Sequence, residues 1–255
     1  MSSGDRTVAQ GGTVRVRRAL VVAGCGVLTV SASACESTEQ ESAKIGREGQ
    51  QLVASQGTLA LGALNRGVQV SDATLLSRGS RTAVAVRLLN TSAHPQTEVP
   101  LLVDVVGKDG KTLYTNATGG LEPSLQRIGV LEPGRQEWWV NDQVLTSQPA
   151  ASVTVRAGTG GRGTTTGAVD AVGVSLSQQS GLPVLGGGLV NHAGASASKV
   201  PVYAVGLRGG RIVAGGRAVV ETVPGHSSTP VPFQIFLVGD PTGASFQVTV
   251  APAAG

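Results

Sequence analysis

Past Cys35 the chain contains no further cysteine, and past Met1 no further methionine. The first absence removes disulfides, thiolate metal sites and a thiol nucleophile from everything that follows. The second removes a thioether copper site. Aromatic residues are scarce, at two Trp, two Tyr and three Phe in 255 residues. There is no run of like charge. The 20 basic and 16 acidic residues include four arginines (Arg6, Arg15, Arg17, Arg18) and one acid (Asp5) ahead of Cys35, which leaves 16 against 15, a net charge of +1. A body so nearly neutral has no means of neutralising several phosphates at once, so nucleic acid is not an expected partner.

Catalytic patterns are missing as well. No Gly-x-Ser-x-Gly elbow occurs, and the acids are scattered without a close pair of the kind glycoside hydrolysis needs. His94, His192 and His226 each stand in Ser/Gly/Pro-rich surroundings, with no paired carboxylate or second histidine at ligand spacing. They read as solvated loop residues. Gly107-Lys-Asp-Gly-Lys-Thr112 lacks the earlier glycine of a phosphate loop, Val105 standing there, and Gly158-x-Gly160-x-x-Gly163 has no helix pattern behind it and no acid about twenty positions on. The expectation is a protein that is not an enzyme and carries no cofactor and no metal.

What is present begins with an export signal. Arg15-Val-Arg-Arg18 is a positive n-region, Ala19–Val30 an apolar h-region, and Ser31-Ala-Ser-Ala34 a run of small residues. The 16 residues from Ala19 to Ala34 would span roughly 24 Å as a helix, short of the ~30 Å hydrocarbon core. Ala32-Ser33-Ala34-Cys35 resembles the lipobox of bacterial lipoproteins, in which the cysteine is acylated and becomes the N-terminus. Val22-Ala-Gly-Cys25 also fits that box, but leaves only six residues, Ala19–Gly24, as its apolar span. Cys35 is therefore the expected lipidation site and Cys25 the alternative. The resemblance implies a lipid-anchored protein on the extracytoplasmic face of the cell membrane. Two acyl chains, at about 0.8 kcal/mol per methylene, suffice for lasting residence. Residues 35–57, opening Glu36-Ser-Thr-Glu-Gln-Glu-Ser-Ala-Lys44, read as a polar tether.

The remainder predicts an all-β protein of two tandem sandwiches, at 58–157 and 168–255, joined by a Gly/Thr-rich linker at 158–167. Predicted strands are Leu59–Ala63, Val68–Leu76, Ala83–Leu89, Val99–Val106, Thr112–Thr115, Trp138–Val140 and Ser152–Arg156, then Val172–Leu176, Leu185–Val190, Val200–Leu207, Arg211–Val213, Val231–Val238 and Ser245–Val250. An internal repeat supports the division. Leu88-Leu-Asn90 matches Leu189-Val-Asn191 and Val99-Pro100 matches Val200-Pro201, while Lys108-Asp-Gly-Lys111 matches Arg208-Gly-Gly-Arg211 one residue out of step. Further on, Glu132-Pro-Gly134 answers Val223-Pro-Gly225, and Val153-Thr-Val155 answers Val248-Thr-Val250. Asp109-Gly110 and Gly209-Gly210 read as two-residue hairpin tips with positive φ at both positions, and a β-bulge between Pro100 and Lys108 is expected to absorb the extra residue.

This order of strands and turns resembles the small immunoglobulin-like domains of bacterial surface proteins, of the FxLYD and CARDB types, over residues 68–156 and 172–251; Leu101-Leu-Val-Asp104 is the nearest echo of the Phe-x-Leu-Tyr-Asp signature. The resemblance implies a fold and a location and leaves the ligand open. Trp138-Trp139 is the candidate interaction site. On a strand the two rings face opposite ways, so one enters the core and the other either lies against a neighbouring loop or the second domain, or forms an exposed contact. Val231–Phe236 poses the same choice. Asn90-Thr-Ser92 and Asn116-Ala-Thr118 match glycosylation sequons without further support. The expected role is a membrane-anchored binding or interaction module for an envelope protein or polymer. The alternative is a structural spacer or accessory subunit of an envelope complex.

Overall fold

A computed structural model describes residues 58–163 and 169–251. Cys25, Cys35, the leader and the tether lie outside the described residues. Fifteen strands occur among the described residues, all in antiparallel pairs, with one turn of 3-10 helix at Pro123–Leu125. The fold is all-β, built of sheets packed face to face.

In the first repeat, β1 (Val68–Arg78), β2 (Arg81–Asn90) and β6 (Gln136–Val144) form one sheet in the order β1-β2-β6. The other is centred on β3 (Gln96–Gly107), flanked by β4 (Thr112–Thr115) and β5 (Arg127–Leu131), and by β7 (Ala150–Ala157) and the two-residue β8 (Gly161–Arg162). In the second repeat, β9 (Val169–Gln179), β10 (Leu182–Asn191) and β13 (Val231–Phe236) form one sheet. The other contains β11 (Ala197–Arg208), β12 (Arg211–Val223), β14 (Val238–Gly239) and β15 (Ser245–Val250), in the order β14-β12-β11-β15.

Strand pairing gives the repeat a residue-level register. Arg78↔Arg81 corresponds to Gln179↔Leu182, and Gln96↔Leu131 to Ala197↔Val223. Glu98 and Lys199, 101 residues apart, both adopt left-handed backbone just before Val-Pro, with φ of 49° and 47°. Two sequence landmarks shift on this register. Val155 pairs with Val103 as Val248 pairs with Ala204, so Val153-Thr-Val155 matches Phe246-Gln-Val248, two residues from the predicted alignment. Glu132-Pro-Gly134 matches Pro224-Gly225-His226, and Gly134 and His226 share positive φ.

The hairpins also depart from expectation. Gly209 and Gly210 have φ of 57° and 79°, as a two-residue turn requires. In the tip of the first repeat only Gly110 is left-handed. Gly110 N–H donates to Gly107 O (3.1 Å) and Gly107 N–H to Lys111 O (2.9 Å), a three-residue tip made of a turn followed by a left-handed residue. A bulge is present in both hairpins, opposite Val105–Val106 and opposite Gly206–Leu207. Being common to both, it does not absorb the extra residue; the longer tip does.

Burial explains why the strands read as they do. On β3 buried and half-buried residues alternate, the pattern of a strand with one face on a core. On β2 and β11 burial is continuous, from Ala83 to Val86 and from Val200 to Gly206, because a sheet covers each face. The β11/β12 sheet packs onto β1-β2-β6. Alternation then divides β11 between two cores: Val200, Val202 and Ala204 join the second-repeat core, whereas Tyr203 and Val205 join the one containing Val84, Val86, Leu101 and Trp139. Small residues permit this stacking. A Cβ on Gly215 would lie 3.1 Å from Leu76 Cδ1 and 3.5 Å from Ala85 Cβ.

Several predicted elements differ from those observed. Leu59–Ala63 is no strand but a strap that turns at Gly62 (φ 60°), held by Leu59 N–H to Ala117 O (3.1 Å), Asn65 N–H to Ala157 O (2.9 Å) and a single bridge between Leu64 and Gly158. The first part of the Gly/Thr-rich stretch also packs on the first repeat. Gly161 and Arg162 pair with Thr97 and Gln96, and a Cβ on Gly158 would lie 2.5 Å from Leu61 O. These glycines serve close approach of backbones. Strands β5 and the distal half of β12 were not predicted, since Gly129 and Gly215-Gly216 interrupt their apolar pattern.

Candidate binding cleft between the repeats

Opposite the unbroken strand β12, the first repeat has β4 and β5 separated by an excursion. Thr115 corresponds to Gly215 and Arg127 to Val219, so the 11 residues Asn116–Gln126 replace the three residues Gly216–Ala218. Asn116, fully buried, braces this excursion: its Nδ2 donates to Leu101 O (2.7 Å) and Leu125 O (2.9 Å), and its Oδ1 accepts from Val103 N–H (2.8 Å). The 3-10 turn it supports points Ser124 O at both repeats. That carbonyl accepts from Trp139 Nε1 (2.9 Å) on β6 and from the Tyr203 hydroxyl (2.9 Å) on β11, and the two rings lie 6.5 Å apart.

Arg217 on β12 enters the same place. Its side chain is 6% exposed and meets Glu122, Ser124 Oγ and, at 3.5 Å, Asp142 Oδ1. Burial pushes the Asp142 carboxyl above the ordinary range, and the Arg217 charge only partly opposes this. Burial likewise pushes the Tyr203 phenol up, so it stays a hydrogen-bond donor. This chemistry is that of a dock. A lone arginine in the apolar run Ala214–Val220 was the available sequence signal, but its acidic partners lie 95 and 75 residues away.

Further across the interface, Trp138 N–H donates to Thr249 Oγ1 (3.0 Å), and Thr249 Oγ1 donates to Glu137 Oε2 (2.9 Å). Burial raises the Glu137 carboxyl, with the neighbouring Glu132 adding to it and Thr249 and Arg135 opposing it. Beyond Glu137 the repeats part to leave an open cleft of about 710 Å³. Its apolar lining comes from Val169, Val172 and Val174 on β9 and from Phe246, Val248 and Val250 on β15. Glu132, Arg135, Glu137 and Asp170 supply the polar part.

The predicted interaction pair lies elsewhere. Trp138 is 5% exposed and Trp139 0%, so neither ring offers an exposed contact. Trp139 faces the first-repeat core, and Trp138 lies under the Arg87 guanidinium at 4.7 Å, while Arg87 reaches Gly210 O (3.1 Å). Trp138 thus takes the covered alternative, against the second repeat. In Val231–Phe236, Phe233 is core and Phe236 is partly exposed.

Among the histidines, His192 does have a carboxylate partner, Asp170 at 3.2 Å, contrary to the sequence reading; both are exposed. Asn90, in the first sequon, is buried and spans a turn to His94 O and Leu131 O, as Asn191 does to Ala195 O and Val223 O. Gly107–Thr112 is a hairpin tip, not a phosphate loop. Among the described residues no group of three His, Cys, Asp or Glu could hold a metal, and no helix is long and apolar enough to cross a membrane.

No protein-family model matches the chain, and no curated protein does. The site must therefore be read from its own geometry.

Proposed function

We propose that this protein is a bacterial lipoprotein, anchored through Cys35 to the extracytoplasmic face of the cell membrane, whose two immunoglobulin-like repeats act as a non-enzymatic binding module. The observation that carries the proposal is the order of the leader: a cationic cluster at Arg15–Arg18, an apolar span too short to cross, small residues and then a cysteine. The open cleft between the repeats, where Glu132, Glu137 and Asp170 stand beside valines and Phe246, supports a binding role. The partner class is an envelope protein or polymer.

A second reading, a structural spacer, is favoured by one feature. The core that includes Leu101 and Trp139 runs on into Tyr203, Val205 and Val238, which joins the repeats through shared buried residues and suits a stiff strut.

Metabolic labelling with a clickable palmitate analogue tests the anchor. The wild-type chain and Cys25→Ala should carry label and stay with membranes, while Cys35→Ala should lose both. Label lost only from Cys25→Ala would move the anchor, and no label on any of the three would overturn it.

A further inference from the structure

The edge of a sheet exposes unpaired backbone, and folds protect it with charge, proline, shortness or a covering element. Most edges of this protein are protected in one of these ways. Strands β4, β8 and β14 have four residues or fewer, β13 carries Pro232, and β6 and β7 carry Glu137 and Arg156. Strand β15 is held to the first repeat by Trp138 N–H on Thr249 Oγ1. On β1 the second repeat supplies cover, with Arg78 Nη1 donating to Gly239 O (3.2 Å).

Strand β9 has none of these protections. It is the last strand of its sheet and pairs only with β10, and among the described residues no other backbone hydrogen bond reaches Ala171–Gln179. It is 11 residues long without proline, and no Asp, Glu, Lys or Arg occurs from Ala171 to Ser198. Every residue from Val172 to Gln179 is exposed, whereas the equivalent stretch of β1, Asp72–Leu76, is half-buried or buried. A bulge at left-handed Gly173 interrupts the start of the strand, and beyond it the ladder with β10 runs unbroken from Ser175 to Gln179. Leu176 lies opposite the core residue Leu185 and yet is 45% exposed; Val174, two residues earlier on the same face, is 37% exposed.

We infer that β9 pairs with β9 of a second copy of this chain, antiparallel about a twofold axis at Leu176, so that one sheet runs through both molecules. Two features favour the same chain as occupant. In a twofold pairing any charge near the axis meets its own like, and β9 has none there. The register is also self-complementary: Leu176 meets its own copy between two Val174–Gln178 pairs, and Ser175 lies opposite Ser177 on the other face. This axis keeps the paired stretch clear of the bulge, whereas an axis at Ser175 would draw Gly173 into it. The inference rests on the sheet order and on neither the cleft nor the lipid.

Because the chain has no thiol past Cys35, introduced cysteines report the pairing directly. Single cysteines replace Leu176, Val174 or Gln178 in the full-length chain, which is oxidised with copper phenanthroline in intact cells and run on non-reducing gels. Leu176→Cys should give a reducible dimer about tenfold or more above Val174→Cys, whose two copies the register sets roughly 13 Å apart, beyond disulfide reach. Val174→Cys and Gln178→Cys chains expressed together should give a mixed dimer that neither gives alone. All three positions are exposed, so the variants should keep the wild-type unfolding midpoint. No dimer from Leu176→Cys overturns the inference. Equal linking by Val174→Cys alone also overturns it, since that marks random collision or another register.

Discussion

Ser124 O accepts hydrogen bonds from side chains of both repeats, and Arg217 beside it is a buried cation with carboxylates on two sides. Truncating one partner of a buried charge cluster leaves the others uncompensated. Arg217→Ala should therefore lower stability by about 3 kcal/mol, and Tyr203→Phe, which removes one of two donors to a carbonyl, by about 1 kcal/mol. Urea denaturation of both variants checks the ratio. Glu137 makes a pH prediction. Its carboxyl is raised in the folded state, so its contribution is fully present below the unfolded value and is lost as pH rises through the raised one. Glu137→Gln keeps an acceptor for Thr249 and removes the titration. Its urea midpoint should gain on wild type between about pH 4 and neutrality; an unchanged difference would show that Glu137 does not couple to folding. None of this node was legible in the sequence. Arg217 stands out there as one cation in an apolar strand, but nothing local names Glu122, Asp142 or Ser124 as its partners.

Among elements, the excursion Asn116–Gln126 decides how the repeats meet. Replacing it with Gly-Arg-Ala, the residues at Gly216–Ala218, would restore an unbroken strand and delete the acceptors of Tyr203 and Arg217. The expected result is unfolding in two resolved steps, read by tryptophan fluorescence and far-UV circular dichroism together; coincident transitions would refute the docking role. Most strands were legible, since Thr112–Thr115 and Ser245–Val250 carry alternation between clear turn residues and were predicted to the residue. Strand β12 was not, because Gly215 and Gly216 look like turn residues. In the fold they are small so that Leu76, Ala85 and Phe236 can come close. The hairpins show the same division. Gly209-Gly210 announces its geometry, while Lys108-Asp-Gly hides a third loop residue until the pairing of Gly107 with Lys111 is seen.

At the scale of the molecule, one core includes residues of both repeats, from Val84 and Trp139 to Tyr203 and Val238. Proteins that bury a continuous core unfold cooperatively. Residues 58–251 should then give a single calorimetric transition, with van't Hoff and calorimetric enthalpies in agreement. The chain by itself determined the all-β class, most strand positions and the existence of a repeat, because alternation and turn residues act over a few neighbours. Only the tertiary structure decided that the tryptophans are covered, that Leu64 bridges to Gly158, and that Arg217 is neutralised across the interface. Those outcomes depend on surfaces brought together from positions about 100 residues apart, which no local pattern encodes.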